Sequence, residues 1–252
     1  MTELSNKVAV VTGASSPRGI GNAIAKRYAQ AGCSLFLVAE GTAEQLTAAV
    51  RECRKLGAPR VESATIDLAD RDGAERMIAQ AESLFGRVDV LVNNAGVRAS
   101  VNFGEFTREQ FDRVVGVNIA TPFFASQAVL PMMRRQRGGR IIHIASQMGH
   151  VTFHQRALYG LTKAALIHLT RSMAYELGRE NIIVNAISPG PIETGRSLMR
   201  TAADTKKLMD KVPAGRFGEP EEIADVAFYL ATTSASFLQG QDIVVDGGYI
   251  IH

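Results

Sequence analysis

Lys7-Val8-Ala9-Val10-Val11-Thr12-Gly13-Ala14-Ser15-Ser16-Pro17-Arg18-Gly19-Ile20-Gly21 decides the fold. An apolar run of strand character feeds straight into a glycine-rich turn, after which a helical pattern opens. A turn of this kind offers backbone N–H groups and the positive end of a helix dipole to a pyrophosphate. Glycine turns are common, so the position of this one, at the head of an alternating pattern, gives it weight.

From there, strand-like runs alternate with helical stretches almost to the end of the chain. Strands are expected at 7–12, 34–39, 60–66, 88–92, 140–145, 182–187 and 242–245, and helices at 19–31, 43–56, 73–85, 108–135, 157–178 and 221–231. Several strands are continuous apolar runs, as required when helices cover both faces of a parallel sheet. The pattern predicts a Rossmann-like, doubly wound, three-layer α/β/α sandwich with a seven-stranded parallel sheet. No composition shift or linker divides residues 1–252, which read as one domain.

With 46% hydrophobic and 21% charged residues the chain is ordinary for a globular protein, far from disorder. The net charge of +3 includes one cluster, Arg134, Arg135, Arg137 and Arg140, which reads as a solvated helix end, so nucleic acid is not an expected partner. Cys33 and Cys53 have no metal spacing and are expected to be small buried residues; no metal is expected. Val8 to Val11 is too short for a signal peptide or a membrane span, and no later uncharged stretch is expected to reach spanning length. A cytoplasmic protein is expected.

A second stretch carries the chemistry. Ser146-Gln147-Met148-Gly149-His150 follows the fifth strand, and Ala157-Leu158-Tyr159-Gly160-Leu161-Thr162-Lys163 opens a long helix. Tyr159 and Lys163, four residues apart, share one helix face. A hydroxyl, a phenol and an ammonium brought together there suit moving a proton on or off an alcohol. A lone Tyr-x-x-x-Lys is usually a helix surface contact, so the rest of the chain has to decide.

Further segments decide it: Asn93-Asn94-Ala95-Gly96 after the fourth strand, Asn118 in a helix, and Pro189-Gly190 after the sixth strand. With the glycine turn and Ser146, Tyr159 and Lys163, the chain resembles the short-chain dehydrogenase/reductase family in its single-domain form, from about Lys7 to Gly248. Five residues lie between Gly13 and Gly19, two more than the family's usual loop holds, which should bulge it near Pro17.

The resemblance implies a catalytic set of Asn118, Ser146, Tyr159 and Lys163. Tyr159 would be the acid/base; a phenol ionises near ~10, and Lys163 and an oxidised nicotinamide would favour the phenolate. Ser146 would orient the substrate oxygen, Lys163 would also hold the ribose, and Asn118 would hold a relay water. Cofactor contacts are implied at Gly13, Ser15, Arg18, Gly19, Ile20, Gly21, Glu40, Asp67, Leu68, Asn94, Ala95, Gly96, Pro189, Gly190, Ile192 and Thr194, with Asn93 lining the adenosine side. Asp67 reads equally well as a helix cap.

Which nicotinamide cofactor is used turns on two charges. Glu40, after Ala39 in the usual aspartate position, favours NAD; Arg18 could attract the 2′-phosphate of NADP or pair with Glu40, and the balance favours NAD. The substrate pocket is expected to draw on Ser146, Gln147, Met148, His154, Arg98 and Arg196, with His150 and Gln155 nearby. That polar lining points to a small secondary alcohol such as a sugar, polyol or hydroxy acid. Residues 195–212 are expected to act as a lid. An NADPH-dependent acyl-thioester reductase is the main alternative. A cofactor-binding module without chemistry leaves the four catalytic residues unexplained, and a methyltransferase leaves Tyr159 and Lys163 unexplained. A homotetramer is implied by resemblance.

Overall fold

The computed structural model describes residues 4–40, 42–195 and 201–251. Seven strands form one sheet: β1 (Val8–Thr12), β2 (Ser34–Ala39), β3 (Val61–Thr65), β4 (Val90–Asn93), β5 (Gly139–Ile144), β6 (Ile182–Pro189) and β7 (Asp242–Val245). Their order is β3-β2-β1-β4-β5-β6-β7 and every pairing is parallel. The expected doubly wound sandwich is therefore the observed one.

The two faces can be read off alternate residues. Ala9 and Val11 of β1, Leu35 and Leu37 of β2 and Ile142 and Ile144 of β5 pack in one core with α1 (Ile20–Gln30), α2 (Ala43–Lys55) and α8 (Pro220–Ala231). Val10, Phe36, Val38, Leu91 and Ile141 enter the opposite core, with residues of α3 (Gly73–Phe85), α5 (Thr121–Arg135) and α6 (Ala157–Leu177). All of β1 and β6 is buried, which is why these strands read as continuous apolar runs. Both edges relax this rule: β3 alternates as Val61-Glu62-Ser63-Ala64-Thr65, with Glu62 half-buried, and β7 is half-buried throughout.

Two helical stretches differ from expectation. The run expected as one helix over 108–135 is α4 (Arg108–Val115), a π-helical turn (Gly116–Ala120) and α5. Taken together, Arg108–Arg135 is long and apolar enough to cross a membrane, contrary to the expectation that no such stretch exists. Its apolar character comes from packing: Val117, Ala125, Val129, Met132 and Met133 are buried, and 44% of its apolar window lies inside the protein. Within 195–212, expected as a lid, α7 (Ala202–Met209) is helical, capped where Thr201 Oγ1 accepts from the Asp204 N–H at 3.1 Å. Cys33 and Cys53 are free and buried.

His143 of β5 is fully buried between Ser126 and Thr170, its Nδ1 2.9 Å from Thr170 Oγ1. Burial pushes its pKa down to about 3. An unfolded histidine takes up its proton near ~6.5, so the unfolded state binds one proton more as pH falls from there toward 3, and stability is lost over that window. Urea unfolding at pH 6.0 and 4.5 tests this. The wild type should lose about 2 kcal/mol more than His143→Gln across the interval; equal losses would contradict the assignment.

Candidate active site

The strand order reverses direction on either side of β1, and the ends of β1 and β4 part there to leave a crevice. Its walls are held by hydrogen bonds. Thr12 Oγ1 accepts from the backbone N–H of Asn94 and of Ala95, both at 2.9 Å, and donates to the Val92 carbonyl at 3.2 Å. Asn94 Nδ2 donates to the carbonyls of Thr12 (2.7 Å) and Gly13 (3.3 Å).

A cleft of about 480 Å³ runs outward from this point, lined by Gly13, Ser15, Ser16, Ala39, Glu40, Gln45, Leu68, Ala95, Gly96, Val97 and Val117. A second hollow joins it along Gly13, Ser16, Gly19, Ile20, Asn94 and Thr194. Here α1 begins without a side-chain cap and with no acidic residue in its first turn, so its N–H groups face the hollow uncompensated. Gly13 has φ +68°, and a Cβ on it would sit 2.8 Å from Asn94 Nδ2. The crevice thus has the length, bare backbone and exposed helix terminus that a dinucleotide requires.

The longer loop closes on itself through the Gly19 N–H to the Ser16 carbonyl at 2.9 Å. Pro17 and Arg18 project as an exposed turn, the expected bulge, while Ser15 and Ser16 keep the wall. Gly21 makes no wall; a Cβ there would come within 2.4 Å of Asn94 Nδ2, so it lets α1 pack onto the crevice floor.

Other expected contacts lie elsewhere. Asn93 is buried and donates to Ser126 Oγ at 3.3 Å, away from the cleft. Ile192 is buried and bridges Gly218, and Pro189 ends β6 in the interior, leaving Gly190 and Thr194 at the surface of the crevice. Arg18 is 3.7 Å from Glu193 and does not reach Glu40. Arg113 of α4 takes that place. Its Nη1 donates to both carboxylate oxygens of Asp67 (2.8 and 2.7 Å) and its Nη2 to Glu40. Burial raises the Asp67 carboxyl, but the Ala69 N–H and Arg113 hold it below its usual range.

At the inner end, Ser146 follows β5 by two residues and caps a single 3₁₀ turn, with its Oγ accepting from the Met148 N–H at 3.1 Å. Asn118 lies in the π-helical turn; its Oδ1 accepts from the Val97 N–H (2.9 Å), and its Nδ2 donates to the Val97 carbonyl (2.9 Å) and Thr162 Oγ1 (3.0 Å). Lys163 Nζ donates to the Ile144 carbonyl at 2.7 Å. A Cβ on Gly96 would be 3.5 Å from Lys163 Nζ and 3.6 Å from Asn118 Oδ1, so the two flank one spot. Lys163 Nζ stands 5.7 Å from the Tyr159 ring centre. The four expected residues therefore converge.

Their electrostatics differ from expectation in one respect. Burial pushes the Tyr159 phenol above its usual range, opposed by the hydrogen bond from Ser146 and the charges of Arg98 and Arg156, not of Lys163. Burial also pushes Lys163 down to about 8.

A cavity of about 140 Å³ opens beside Tyr159, lined by Arg98, Ser146, Gln147, Met148, Phe153, Arg156, Gly190, Pro191, Leu208 and Tyr249. Arg98, Gln147 and Met148 stand where expected, but Phe153 lines the cavity in place of the exposed His154. His150 turns to Asp242 (2.5 Å), and Gln155 donates to Asn102 (3.3 Å). Arg196 lies outside the described residues. Leu208 of α7 and Tyr249 cover the cavity, so part of the expected lid region does reach the site. A larger surface cleft, about 720 Å³ between α1, α2 and α8, is remote, and its Lys26–Glu52 and Arg27–Asp225 charges are paired.

The family model described as Enoyl-(Acyl carrier protein) reductase matches residues 13–250. This chain belongs to the short-chain dehydrogenase/reductase family. It is 35% identical to 3-oxoacyl-[acyl-carrier-protein] reductase FabG of Thermotoga maritima, covering 98% of this chain and 99% of that one. It is equally, 35%, identical to 2-dehydro-3-deoxy-D-gluconate 5-dehydrogenase of Dickeya dadantii, covering 98% and 96%. Among solved structures, one from Beutenbergia cavernae provisionally named an NAD(P) dependent gluconate 5-dehydrogenase, with NADP bound at low occupancy, superposes with TM-score 0.92 at 33% identity, covering 99% of each chain. The protein is thus an NAD(P)-dependent oxidoreductase of CH–OH groups.

An ammonium buried at 3% exposure costs stability. Lys163→Met should therefore raise the unfolding free energy at pH 7 by roughly 1–3 kcal/mol. The folded-state pKa of Lys163 lies below its unfolded value, so the penalty is full below pH 8 and fades as pH rises toward 10.5. Denaturant titrations at pH 7 and 9.5 should show the gap narrowing; a variant less stable at pH 7 would refute this account.

Proposed function

We propose that the protein moves a hydride between the nicotinamide of NAD and the carbinol carbon of a small polar secondary alcohol, or the reverse. The observation that carries this reading is the convergence of Ser146, Tyr159 and Lys163 where the small cavity meets the dinucleotide crevice. The bound nicotinamide supplies the hydride acceptor or donor. Tyr159 takes the hydroxyl proton as the alcohol is oxidised and returns it on reduction, and Ser146 holds the substrate oxygen beside it. Lys163, held by the Ile144 carbonyl, holds the ribose and passes the proton outward past Asn118.

Gly13, Ser15, Gly19, Ile20 and Thr194 hold the pyrophosphate, with Leu68, Asn94, Ala95 and Gly96 along the nucleosides. Preference for NAD rests on charge. No cation lines the adenosine cleft among the described residues, and Glu40 is the charged group on its wall. Arg113 is shared between Glu40 and Asp67, so one positive charge faces two negative ones. A 2′-phosphate meets net repulsion there. Exposed Phe123 and Phe124 on α5 and Leu161 and Tyr175 on α6 support self-association, and we take the enzyme to be a cytoplasmic homotetramer. The resemblance to FabG proteins supports a second reading, NADPH-dependent reduction of an acyl thioester.

Absorbance of the reduced nicotinamide, with sugars, polyols, hydroxy acids and 3-oxoacyl thioesters as substrates and both cofactors, separates these readings. Tyr159→Phe should lower kcat by roughly 10²–10⁴ while the dissociation constant of the cofactor changes less than threefold; retained turnover would overturn the role of Tyr159. Alcohol oxidation should rise with pH as the phenol ionises. Replacing Glu40 with Gln should improve kcat/KM for NADP relative to NAD by at least tenfold, and an unchanged ratio would contradict the electrostatic basis for NAD.

A further inference from the structure

The walls of the small cavity beside Tyr159 are electrically lopsided. Arg98 and Arg156 are its charged lining residues, and among the described residues no carboxylate lines it with them. Several arginines elsewhere are matched to acids, among them Arg27 to Asp225, Arg87 to Asp89, Arg134 to Glu180 and Arg216 to Glu222, while Arg54 and Arg140 donate only to carbonyls. Arg156 donates only to neutral acceptors, Ser100 Oγ at 2.9 Å and the Gln155 carbonyl at 3.1 Å. Arg98 has no hydrogen bond or ion pair among the described residues. Burial and then the charge of Arg98 push Arg156 below its usual range, so the two guanidiniums feel each other. Acids on the β7 side are already engaged. Asp242 accepts from Ser188 and pairs with His150, and Asp246 accepts the N–H groups of Gly248 and Ile250.

A second observation comes from the opposite wall. Gln147 is 5% exposed, and its buried Oε1 has no donor. Gly190 leaves room for it; a Cβ there would stand 3.0 Å from that oxygen. Leaving a buried acceptor unpaired costs on the order of 1–3 kcal/mol, which a ligand hydroxyl would relieve. Two uncompensated guanidiniums and a buried acceptor thus flank the pair of hydroxyls, Ser146 and Tyr159, that hold a carbinol oxygen.

We propose that the cavity is built for the anion of a hydroxy acid: Arg98 and Arg156 bind its carboxylate, and Gln147 Oε1 accepts from one of its hydroxyls. This deepens the functional reading above and rests on it. It also separates the two alternatives, because the reacting end of an acyl thioester carries no charge to pair with the arginines. Guanidinium pairs suit a planar carboxylate through parallel hydrogen bonds.

Calorimetric titration of the full-length protein saturated with NAD tests this with matched probes: gluconate against glucitol, and 3-hydroxybutanoate against its methyl ester. Turnover is followed in parallel. At least one acid should bind ten or more times tighter than its uncharged counterpart. Arg98→Gln and Arg156→Gln should each cut that ratio at least fivefold through KM, with Arg156→Lys retaining most of it, and added salt should weaken it. Gln147→Leu should weaken gluconate binding while the charge preference persists. Equal binding of acid and neutral probes, binding of neither acid, or a preference that survives the double arginine variant would overturn the proposal. Arginine-dependent binding of an acid without turnover of any polar alcohol by either cofactor would leave the anion subsite standing and sink the reading as a dehydrogenase of small polar alcohols. Turnover confined to uncharged alcohols would do the opposite.

Discussion

The hydroxyl of Thr12 ties the ends of two strands that diverge. It gathers the N–H groups of Asn94 and Ala95, while the Asn94 amide reaches back to the carbonyls of Thr12 and Gly13. A parallel sheet wound outward in both directions from β1 must open between β1 and β4, and backbone groups at that opening lose their ladder partners. These bonds satisfy them without filling the opening. The glycine turn, the start of α1 and the wall at Gly96 keep their spacing through this tie, and the positions of Lys163 and Asn118 follow from that wall.

Much of this was legible from residue order. Strands buried on both faces announce themselves as unbroken apolar runs, which is why β1 and β2 fall where the sequence places them. The convergence of Ser146, Tyr159 and Lys163 was legible because they belong to local signatures at a strand end and on one helix face. Arg113 was not. Its partners lie 46 and 73 residues earlier, and nothing within α4 marks it as different from an ordinary surface arginine. The place of Arg18 beside the glycine loop offers it to a 2′-phosphate or to Glu40, but it lies 3.7 Å from Glu193 on the exposed turn of that loop. Phe153 and His154 illustrate a finer limit: a one-residue phase error in an irregular segment exchanges wall for solvent. The cap at Thr201 marks α7 locally, yet its neighbours' polarity reads as loop.

The two ends of the crevice carry opposite charge. Around Arg113, two carboxylates outnumber one guanidinium; around the cavity beside Tyr159, two guanidiniums face no carboxylate among the described residues. The same arginines pull the Tyr159 phenol down against the burial that pushes it up. The charges at the outer cleft and those acting on the phenol thus form separate groups, one on α4 and the strand ends, the other on the loops around Tyr159.

The π-helical turn at Gly116–Ala120 adds one residue to what is otherwise a continuous helix. One extra residue turns everything beyond it by about 100° relative to an unbroken α-helix. The face of α4 that carries Arg113 toward Asp67 and Glu40 is thereby out of phase with the face of α5 that packs Ser126, Val129 and Met133 into the core. The seam makes two independently addressable surfaces from one rod. Exposed positions of the outer segment, such as Glu109 and Asp112, can change their charge while the buried face of the inner one keeps its packing.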